Sequence, residues 1–175
     1  MIVIRKERPP DAAAREALLD EAFGSRRLRK SSQRLREGQD PADGLAFVAA
    51  DGQQVVGTAR LWTISCGAGP AALLLGPVAV AANRRHRGIG ASLVRHAVNT
   101  ARRLGHGAIV LVGDAAYYGR FGFTAQKTAG LRMPGPFEPH RLLALELKPG
   151  ALDGARGLQR PASKPSYCPA AVSAA

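Results

Sequence analysis

The chain has few of the features that define disulfide-rich, metal-binding or membrane proteins. Its 175 residues include two cysteines, Cys66 and Cys168, and neither these nor the four histidines have the spacing of a metal site. No apolar run approaches the length of a membrane span, and the N-terminal pattern is a short strand followed by charge rather than a signal peptide. We therefore expect one domain with reduced thiols in the cytoplasm, without a metal or a membrane partner.

Acidic residues are missing from the middle of the chain. The formal net charge is +12, yet no Asp or Glu occurs from Gly52 through Gly113, and nine of the 13 acids precede Gly52. The acid-free span contains seven arginines, which are Arg60, Arg84, Arg85, Arg87, Arg95, Arg102 and Arg103. This positive charge fits a solvated surface, a nucleic-acid partner or a ligand with phosphate groups. The aromatic content of 5% and the lack of a recognisable DNA-reading helix argue against nucleic acid.

An anion-binding arrangement is predicted inside this basic span. The apolar run from Ala71 to Val80 is typical of a buried strand, and an Arg-rich turn with Gly88 and Gly90 follows it. The turn leads directly into a helix over 88–104, whose apolar residues recur at helical spacing. Glycine lets a ligand approach the backbone closely, and the first turn of a helix presents unpaired N–H groups and a positive dipole end. Together these elements predict a pyrophosphate site.

The spacing of the loop decides between known phosphate sites. A dinucleotide-binding loop needs glycine where Leu93 stands, and a P-loop needs a lysine, which is absent between Arg60 and Lys127. The remaining pattern, Arg-x-x-Gly-x-Gly-Ala over 85–91, resembles the acetyl-CoA pyrophosphate loop of the GNAT N-acetyltransferase superfamily. A second segment, over 117–123, is similar to that family's Tyr-x-(Lys/Arg)-x-Gly-Phe ending. The resemblance extends over roughly the first 148 residues.

The resemblance implies a mixed α/β (α+β) fold, the GNAT-like acyl-CoA N-acyltransferase fold. Its centre is a twisted, mostly antiparallel mixed sheet of about six to seven strands flanked by helices. A V-shaped splay separates the fourth and fifth strands after Val80. Gly76 and Pro77 indicate an edge or a bulge in the fourth strand, because proline cannot donate to a ladder, and the resemblance implies the bulge. We expect a single domain over 1–148 and a Pro/Ala-rich C-terminal tail over 149–175, either disordered or packed across a neighbour.

Local patterns predict the remaining elements. A helix is expected after Pro9, with Asp11 as its N-cap and Gly24 at its end. A hairpin turn is expected at Asp51 and Gly52. Further strands are predicted over 1–5, 44–50, 54–65, 107–113, 123–126 and 142–147, and short helices after Ser31 and over 115–120.

The resemblance also implies acetyl-CoA (coenzyme A) as co-substrate and no metal. In this family the backbone of the fourth strand pairs with the pantetheine arm, here through Val78, Ala79 and Val80, and the N–H of Val80 is the expected oxyanion donor. Arg85 and Arg87 would add charge at the phosphates, with His86 near the ligand. The N–H groups expected at the pyrophosphate are those of Gly88, Ile89, Gly90, Ala91 and Ser92.

Tyr118 is the predicted general acid, because it occupies the position of the family's tyrosine and a leaving thiolate needs a proton. The alternative for Tyr118 is a packed aromatic role, and Tyr117 is assigned to the core or the substrate wall.

The general base is not evident from the sequence. Leu73, Leu74 and Leu75 stand where many relatives have a glutamate. A water chain or a carboxylate of the first helices remains, although a solvated helix face is the simpler role for such residues. The candidates are Asp20, Glu21 and Glu37, with Asp114 in a positioning role.

The sequence thus predicts an N-acetyltransferase that transfers acetyl to a primary amine of a small molecule or protein by direct attack on the thioester. The alternative is a non-catalytic acyl-CoA-binding module of the same fold. The acid-rich first helices, which in this superfamily shape the acceptor pocket, favour a cationic amine. The acceptor, the base and the oligomeric state stay open, with a homodimer as one alternative.

Overall fold

The computed structural model describes residues 1–162 as an eight-stranded sheet with flanking helices. The strands are β1 (Ile2–Lys6), β2 (Ala46–Asp51), β3 (Gln54–Cys66), β4 (Ala71–Val80), β5 (Ala108–Val112), β6 (Leu131–Arg132), β7 (Leu142–Glu146) and β8 (Gly157–Pro161). The α-helices are α1 (Ala12–Phe23), α2 (Ser31–Arg34), α3 (Ile89–Arg103) and α4 (Ala115–Gly119). Within residues 1–162, no helix is long and apolar enough to cross a membrane.

The sheet is built mainly from antiparallel neighbours, as predicted. Its strand order is β1-β2-β3-β4-β5-β7, and β4 and β5 form the parallel pair of this path. β8 pairs antiparallel with the end of β3, and the two-residue strand β6 pairs with β8. These two strands, which the sequence pattern did not predict, extend the expected sheet.

β4 and β5 separate after two paired positions. Their ladder joins Leu73 to Ile109 and Leu74 to Val110. Beyond this point β4 continues against β3 as far as Val80, while β5 continues against β7. The predicted V-shaped splay between the fourth and fifth strands is therefore confirmed, but it begins after Leu74 rather than after Val80.

A bulge in β4 lies where the two strands separate. The ladder with β3 places both Gly76 and Pro77 opposite Arg60 alone. A bulge bends its strand and increases the local twist, and Pro77 has no N–H to offer to β5. The indole Nε1 of Trp62 donates to the carbonyl of Gly76 at 2.6 Å and holds the bulge against β3. The bulge predicted from the Gly-Pro pair thus accompanies the opening of the split.

Helix α3 covers one face of the sheet with a continuous apolar stripe. Leu93, Ala97 and Ala101 are fully buried in one cluster with Phe47 and Leu61 from the sheet. Truncating one such leucine to alanine typically costs about 2–5 kcal/mol. The arginines of α3 lie on its exposed face. This packing fixes the start of α3 just beyond the end of β4, where the basic turn connects them.

Asp11 occupies the N-cap position of α1, as predicted, but its side chain makes no capping hydrogen bond there. Its carboxylate accepts two hydrogen bonds from the guanidinium of Arg5, at 2.6 and 2.8 Å, and one from the backbone N–H of Arg8 at 2.7 Å. α1 therefore begins without a side-chain cap, and the ion pair ties it to β1 instead. Gly24 ends α1 as predicted, with a φ angle of 66°.

The segments after α4 also differ from their predicted form. Residues 123–126 are not a strand: Thr124 makes a single bridge to Ala144, and the apolar pattern reflects a core anchor at Phe123. The expected tail packs on the sheet as far as Pro161, because Leu152 and Gln159 are buried and β8 pairs with β3. Residues 163–175, which include Cys168, lie outside the described residues, whereas Cys66 is a free, buried thiol.

Candidate active site

The split between β4 and β5 opens into a cavity of about 410 Å³. Four parts of the chain meet there: the bulged half of β4, the end of β5 with α4, the segment around α2, and the loop before β7. The lining residues are Leu74, Leu75, Gly76, Pro77, Val78, Val112, Gly113, Asp114, Tyr118, Phe23, Arg27, Lys30, Ser31, Ser32, Arg36, Met133, Pro136, Phe137, Glu138 and Arg141. Cavities of this size are typical of small-molecule sites.

The outer half of β4 has free backbone groups on the side of the split. The N–H of Ala81 donates to the carbonyl of Val56 on β3 at 2.9 Å. Because the hydrogen-bonding side alternates along a strand, the N–H and C=O groups of Val78 and Val80 point away from β3 and into the split. Those of Ala79 face β3, so Ala79 has no backbone group to offer a ligand there. Val78 lines the cavity and Val80 does not, which makes Val78 the better candidate for an oxyanion donor.

The basic turn after β4 prepares the start of α3. His86 and Gly88 have positive φ angles of 62° and 76°, and α3 begins at Ile89. The N–H of Ser92 donates to the carbonyl of Gly88 at 2.9 Å. The expectation that this Ser92 group is available to a phosphate was therefore wrong, because it makes a helical hydrogen bond. The N–H groups of the three preceding residues have no helical partner and point out of the helix start.

Arg85 and Arg87 supply positive charge around this helix start. Both side chains are exposed, and among residues 1–162 neither forms a salt bridge. Arg84 differs, because it is paired with Asp51 at 3.0 Å. The Nε atom of Arg85 donates to the carbonyl of Val80 at 3.5 Å. An anion at the start of α3 would therefore meet two guanidinium groups without a carboxylate partner, in addition to the N–H groups and the helix dipole.

Tyr118 reaches the cavity from α4. The carboxylate of Asp114 accepts hydrogen bonds at 2.7 and 3.1 Å from two N–H groups of the first turn and fixes the start of this helix. The Tyr118 ring packs against Gly113 and makes a T-shaped contact with Phe123, with 6.0 Å between ring centroids. Burial, followed by the neighbouring Tyr117, raises the pKa of Tyr118 to about 12. The phenol therefore holds its proton firmly at neutral pH.

Tyr117 lies on the other side of α4. Its hydroxyl is 3.1 Å from the position that a Cβ atom would occupy at Gly90, near the start of α3. Its ring stacks under the guanidinium of Arg120, 4.1 Å from the ring centroid. Of the two adjacent tyrosines, Tyr118 is the one that lines the cavity, and its role as general acid stays a prediction.

The carboxylates predicted as bases do not line the cavity. Asp20 is paired with an arginine at 2.9 Å, and Glu21 and Glu37 are exposed elsewhere. The two carboxylates in the lining are Asp114 and Glu138. The sequence did not single out Glu138, because it lies in a loop rich in proline and glycine without any periodic pattern. In the described part of the chain, no group of three or more His, Cys, Asp or Glu side chains could hold a metal.

Four of the acids near the N-terminus are paired with arginines of the protein itself. The ion pairs are Glu7 with Arg15 and Arg60, Asp11 with Arg5, Glu16 with Arg15 and Arg27, and Asp20 with Arg27. The cavity lining carries more basic than acidic residues, with Arg27, Lys30, Arg36 and Arg141 against Asp114 and Glu138. None of these acids lines the cavity, so they do not support a cationic acceptor there, and the class of acceptor stays a prediction. Arg36 and Arg141 were missed in the sequence because neither belongs to a motif.

Comparison with known proteins gives relatives over nearly the whole chain. Residues 42–125 match the family model of the acetyltransferase (GNAT) domain. The uncharacterized N-acetyltransferase YhbS of Escherichia coli K12 is 34% identical over 164 residues, which cover 90% of this chain and 94% of YhbS.

Two crystal structures of relatives contain ligands. The GNAT family N-acetyltransferase YhbS from Escherichia coli in complex with CoA has a TM-score of 0.77 and 31% identity, and the match covers 91% of this chain and 88% of that one. A GNAT family acetyltransferase from Brucella melitensis in complex with acetyl-CoA has a TM-score of 0.59 and 33% identity, with 83% and 96% of the two chains covered.

Proposed function

This chain belongs to the GNAT acetyltransferase family and is an N-acetyltransferase, and we propose that it transfers acetyl from acetyl-CoA to a primary amine by direct attack on the thioester. One observation carries the proposal: the free backbone of β4 at Val78 and the side chain of Tyr118 line the same cavity. Membership of the family favours this enzyme over a non-catalytic acyl-CoA-binding module of the same fold.

Acetyl-CoA is the proposed co-substrate. The related crystal structures contain CoA and acetyl-CoA, and this chain has an exposed basic helix start beside an open strand edge. In the proposed mode the pantetheine arm follows the split edge of β4, and the pyrophosphate lies at the start of α3. The groups proposed to contact acetyl-CoA are the backbones of Val78, Val80, Gly88, Ile89, Gly90 and Ala91 and the side chains of Arg85, His86 and Arg87.

The proposed reaction makes one bond and breaks another. The amine nitrogen attacks the thioester carbon, the C–S bond breaks, the nitrogen loses a proton and the sulfur gains one. We assign the N–H of Val78 to the thioester oxygen, where negative charge develops. The hydroxyl of Tyr118 donates toward the leaving sulfur. The amine proton leaves through water or through one of the two lining carboxylates, Asp114 and Glu138.

An acceptor screen tests this proposal. The protein is incubated with acetyl-CoA and a panel of small amines and lysine-containing peptides, and thiol release and acetylated product are both measured. We expect one thiol released for each acetyl group transferred. Acetyl-CoA alone is expected to raise the Tm, because it binds the folded state. Stabilisation by acetyl-CoA without acetylation of any amine would contradict the proposal.

The cytoplasmic location and the homodimer remain predictions from the sequence.

A further inference from the structure

Arg36 is a buried charge in the wall of the cavity. The residue follows α2 in the chain, and only 8% of its surface is exposed to solvent. Its Nη2 atom donates to the Oε1 atom of Gln33 at 3.2 Å, and its Nε atom is buried without a hydrogen-bond partner. Its Nη1 atom lies 3.7 Å from the position that a Cβ atom would occupy at Gly76, beside the bulge of β4. The guanidinium is thus held against the point where the split begins.

The surroundings of Arg36 provide no counter-ion. Among residues 1–162 no carboxylate lies within salt-bridge distance of it, although the other cavity-lining arginines are placed near acids: Arg27 with Glu16 and Asp20, and Arg141 4.0 Å from Glu138. Burial, followed by the charge of Arg27, lowers the pKa of Arg36 to about 10, so the group stays protonated at neutral pH. A buried, unpaired cation is unfavourable for folding unless a ligand supplies the missing anion.

We propose that the acceptor is a small amine that also carries a carboxylate or a phosphate, and that Arg36 binds this anionic group. A guanidinium forms short, charge-assisted and often bidentate hydrogen bonds with both kinds of anion. The inference rests on the proposed function, because it concerns the acceptor half of the same cavity. Since Arg36 lies beside Gly76, close to the split edge of β4 where the thioester is proposed to lie, the amine and the anion must be only a few bonds apart. A cavity of about 410 Å³ accommodates such a molecule.

Matched acceptor pairs test the proposal with the wild-type protein. Each L-amino acid is compared with its α-amide, and O-phosphoethanolamine is compared with ethanolamine, so that each pair differs in the anion. The value of kcat/KM is measured by acetyl-CoA-dependent thiol release. We expect the anionic member of at least one pair to be preferred by roughly 10- to 150-fold, the range for a hydrogen bond to a charged group. The pair that shows the preference distinguishes a carboxylate from a phosphate.

Variants assign the preference to Arg36. Arg36→Gln should lower kcat/KM for the anionic acceptor by a similar factor, mostly through KM, and should change the neutral acceptor little. Arg36→Lys should restore part of the loss, because it keeps the charge but not the bidentate geometry. Arg29→Gln is the matched control, because it removes an exposed arginine that does not line the cavity. The rise in Tm with acetyl-CoA should be the same in all four proteins.

Several outcomes would overturn the inference. Equal use of both members of every pair would do so without any variant, and so would an equal loss for both members in Arg36→Gln. Loss of the Tm rise with acetyl-CoA in Arg36→Gln would place Arg36 in the cofactor site instead. Acetylation of peptide lysines or cationic amines alone would overturn this inference and leave the proposed function standing. Acetyl-CoA binding without any acetylation would overturn both.

Discussion

Replacing Tyr118 with phenylalanine tests the proposed proton donor by removing one oxygen atom. The ring keeps its contacts with Gly113 and Phe123, so the core beneath α4 is unchanged. Any loss of rate therefore reports on the hydroxyl rather than on packing.

The environment of Tyr118 determines the expected size of the effect. Its pKa is raised to about 12 by burial, whereas a free thiol has a pKa near 8.5, so complete proton transfer in this environment would be uphill by roughly 5 kcal/mol. A hydrogen bond donated to the developing thiolate contributes about 1.5–3 kcal/mol, which corresponds to roughly 10- to 150-fold in rate. We therefore expect kcat to fall by roughly 10²-fold, the lower end of the range for lost general acid catalysis.

The assay separates chemistry from binding. Thiol release is followed with the best acceptor at saturating acetyl-CoA, and acetyl-CoA affinity is measured by the shift in Tm. Tyr117→Phe is the matched control, because it removes the same atom one residue earlier, where the hydroxyl lies near Gly90 outside the cavity. We expect this control to retain kcat, with any change confined to the affinity for acetyl-CoA.

The pH dependence of kcat can refute this reasoning about Tyr118. A general acid must be protonated, so its contribution is lost as pH rises through its pKa. With a pKa of about 12 in Tyr118, kcat should show no descending limb from this group below pH ~10. A limb near pH ~8–9 that disappears in Tyr118→Phe would refute the expected magnitude, since the bound cofactor would then lower the pKa of Tyr118. Full activity of Tyr118→Phe would assign the proton to water.

Three further predictions concern the cofactor loop, helix α4 and acid stability. Gly90→Val should abolish the Tm rise with acetyl-CoA, because a Cβ atom there meets the Tyr117 hydroxyl at 3.1 Å and occupies the approach to the helix start. Asp114→Ala should destabilise the protein by about 1 kcal/mol through loss of the helix cap, which urea unfolding measures. Asp114→Asn should retain the cap. It should lose activity only if the carboxylate of Asp114 is the base. The hydrogen bond from Arg5 holds the pKa of Asp11 far below its usual value. The stability that Asp11 adds is therefore present at neutral pH and lost as pH falls below about 4, so Asp11→Asn should lower Tm at pH 7 but progressively less in more acidic buffers.

The strand, turn and helix at which we propose that the cofactor binds could be predicted from the sequence because their determinants are local. A strand, two glycines and an amphipathic helix follow one another within residues 71–104, and each is specified by neighbouring side chains. The split was implied by the resemblance to the family, and Gly76 with Pro77 fitted it because proline cannot donate to a ladder. The error at Ser92 concerned one hydrogen bond, which depends on where the helix begins, and helix boundaries are the least certain part of a pattern.

The missed strands and the missing side-chain cap at Asp11 depend on partners outside the local pattern. β6 has two residues and β8 has five, and β8 exists because it pairs with the end of β3, roughly a hundred residues earlier in the chain. Asp11 has the sequence context of an N-cap, but the guanidinium of Arg5 on the neighbouring strand competes for its carboxylate and wins. Neither pairing has a signature in the local sequence.

The place of Arg36 in the cavity wall could not be predicted from the sequence either, because it depends on packing between separate parts of the chain. Arg36 ends a basic run over 26–36, and by composition it is one more member of a solvated face. Packing against the bulge of β4 removes it from water and separates it from the acids that neutralise its neighbours. A charge is counted equally wherever it stands in a sequence, but its effect on a ligand grows as water is excluded. The acid-rich first helices suggested a cationic acceptor, but none of their carboxylates lines the cavity, whereas the buried guanidinium of Arg36 does. The proposed anionic acceptor therefore rests on burial and pairing in the fold rather than on the count of charges along the chain.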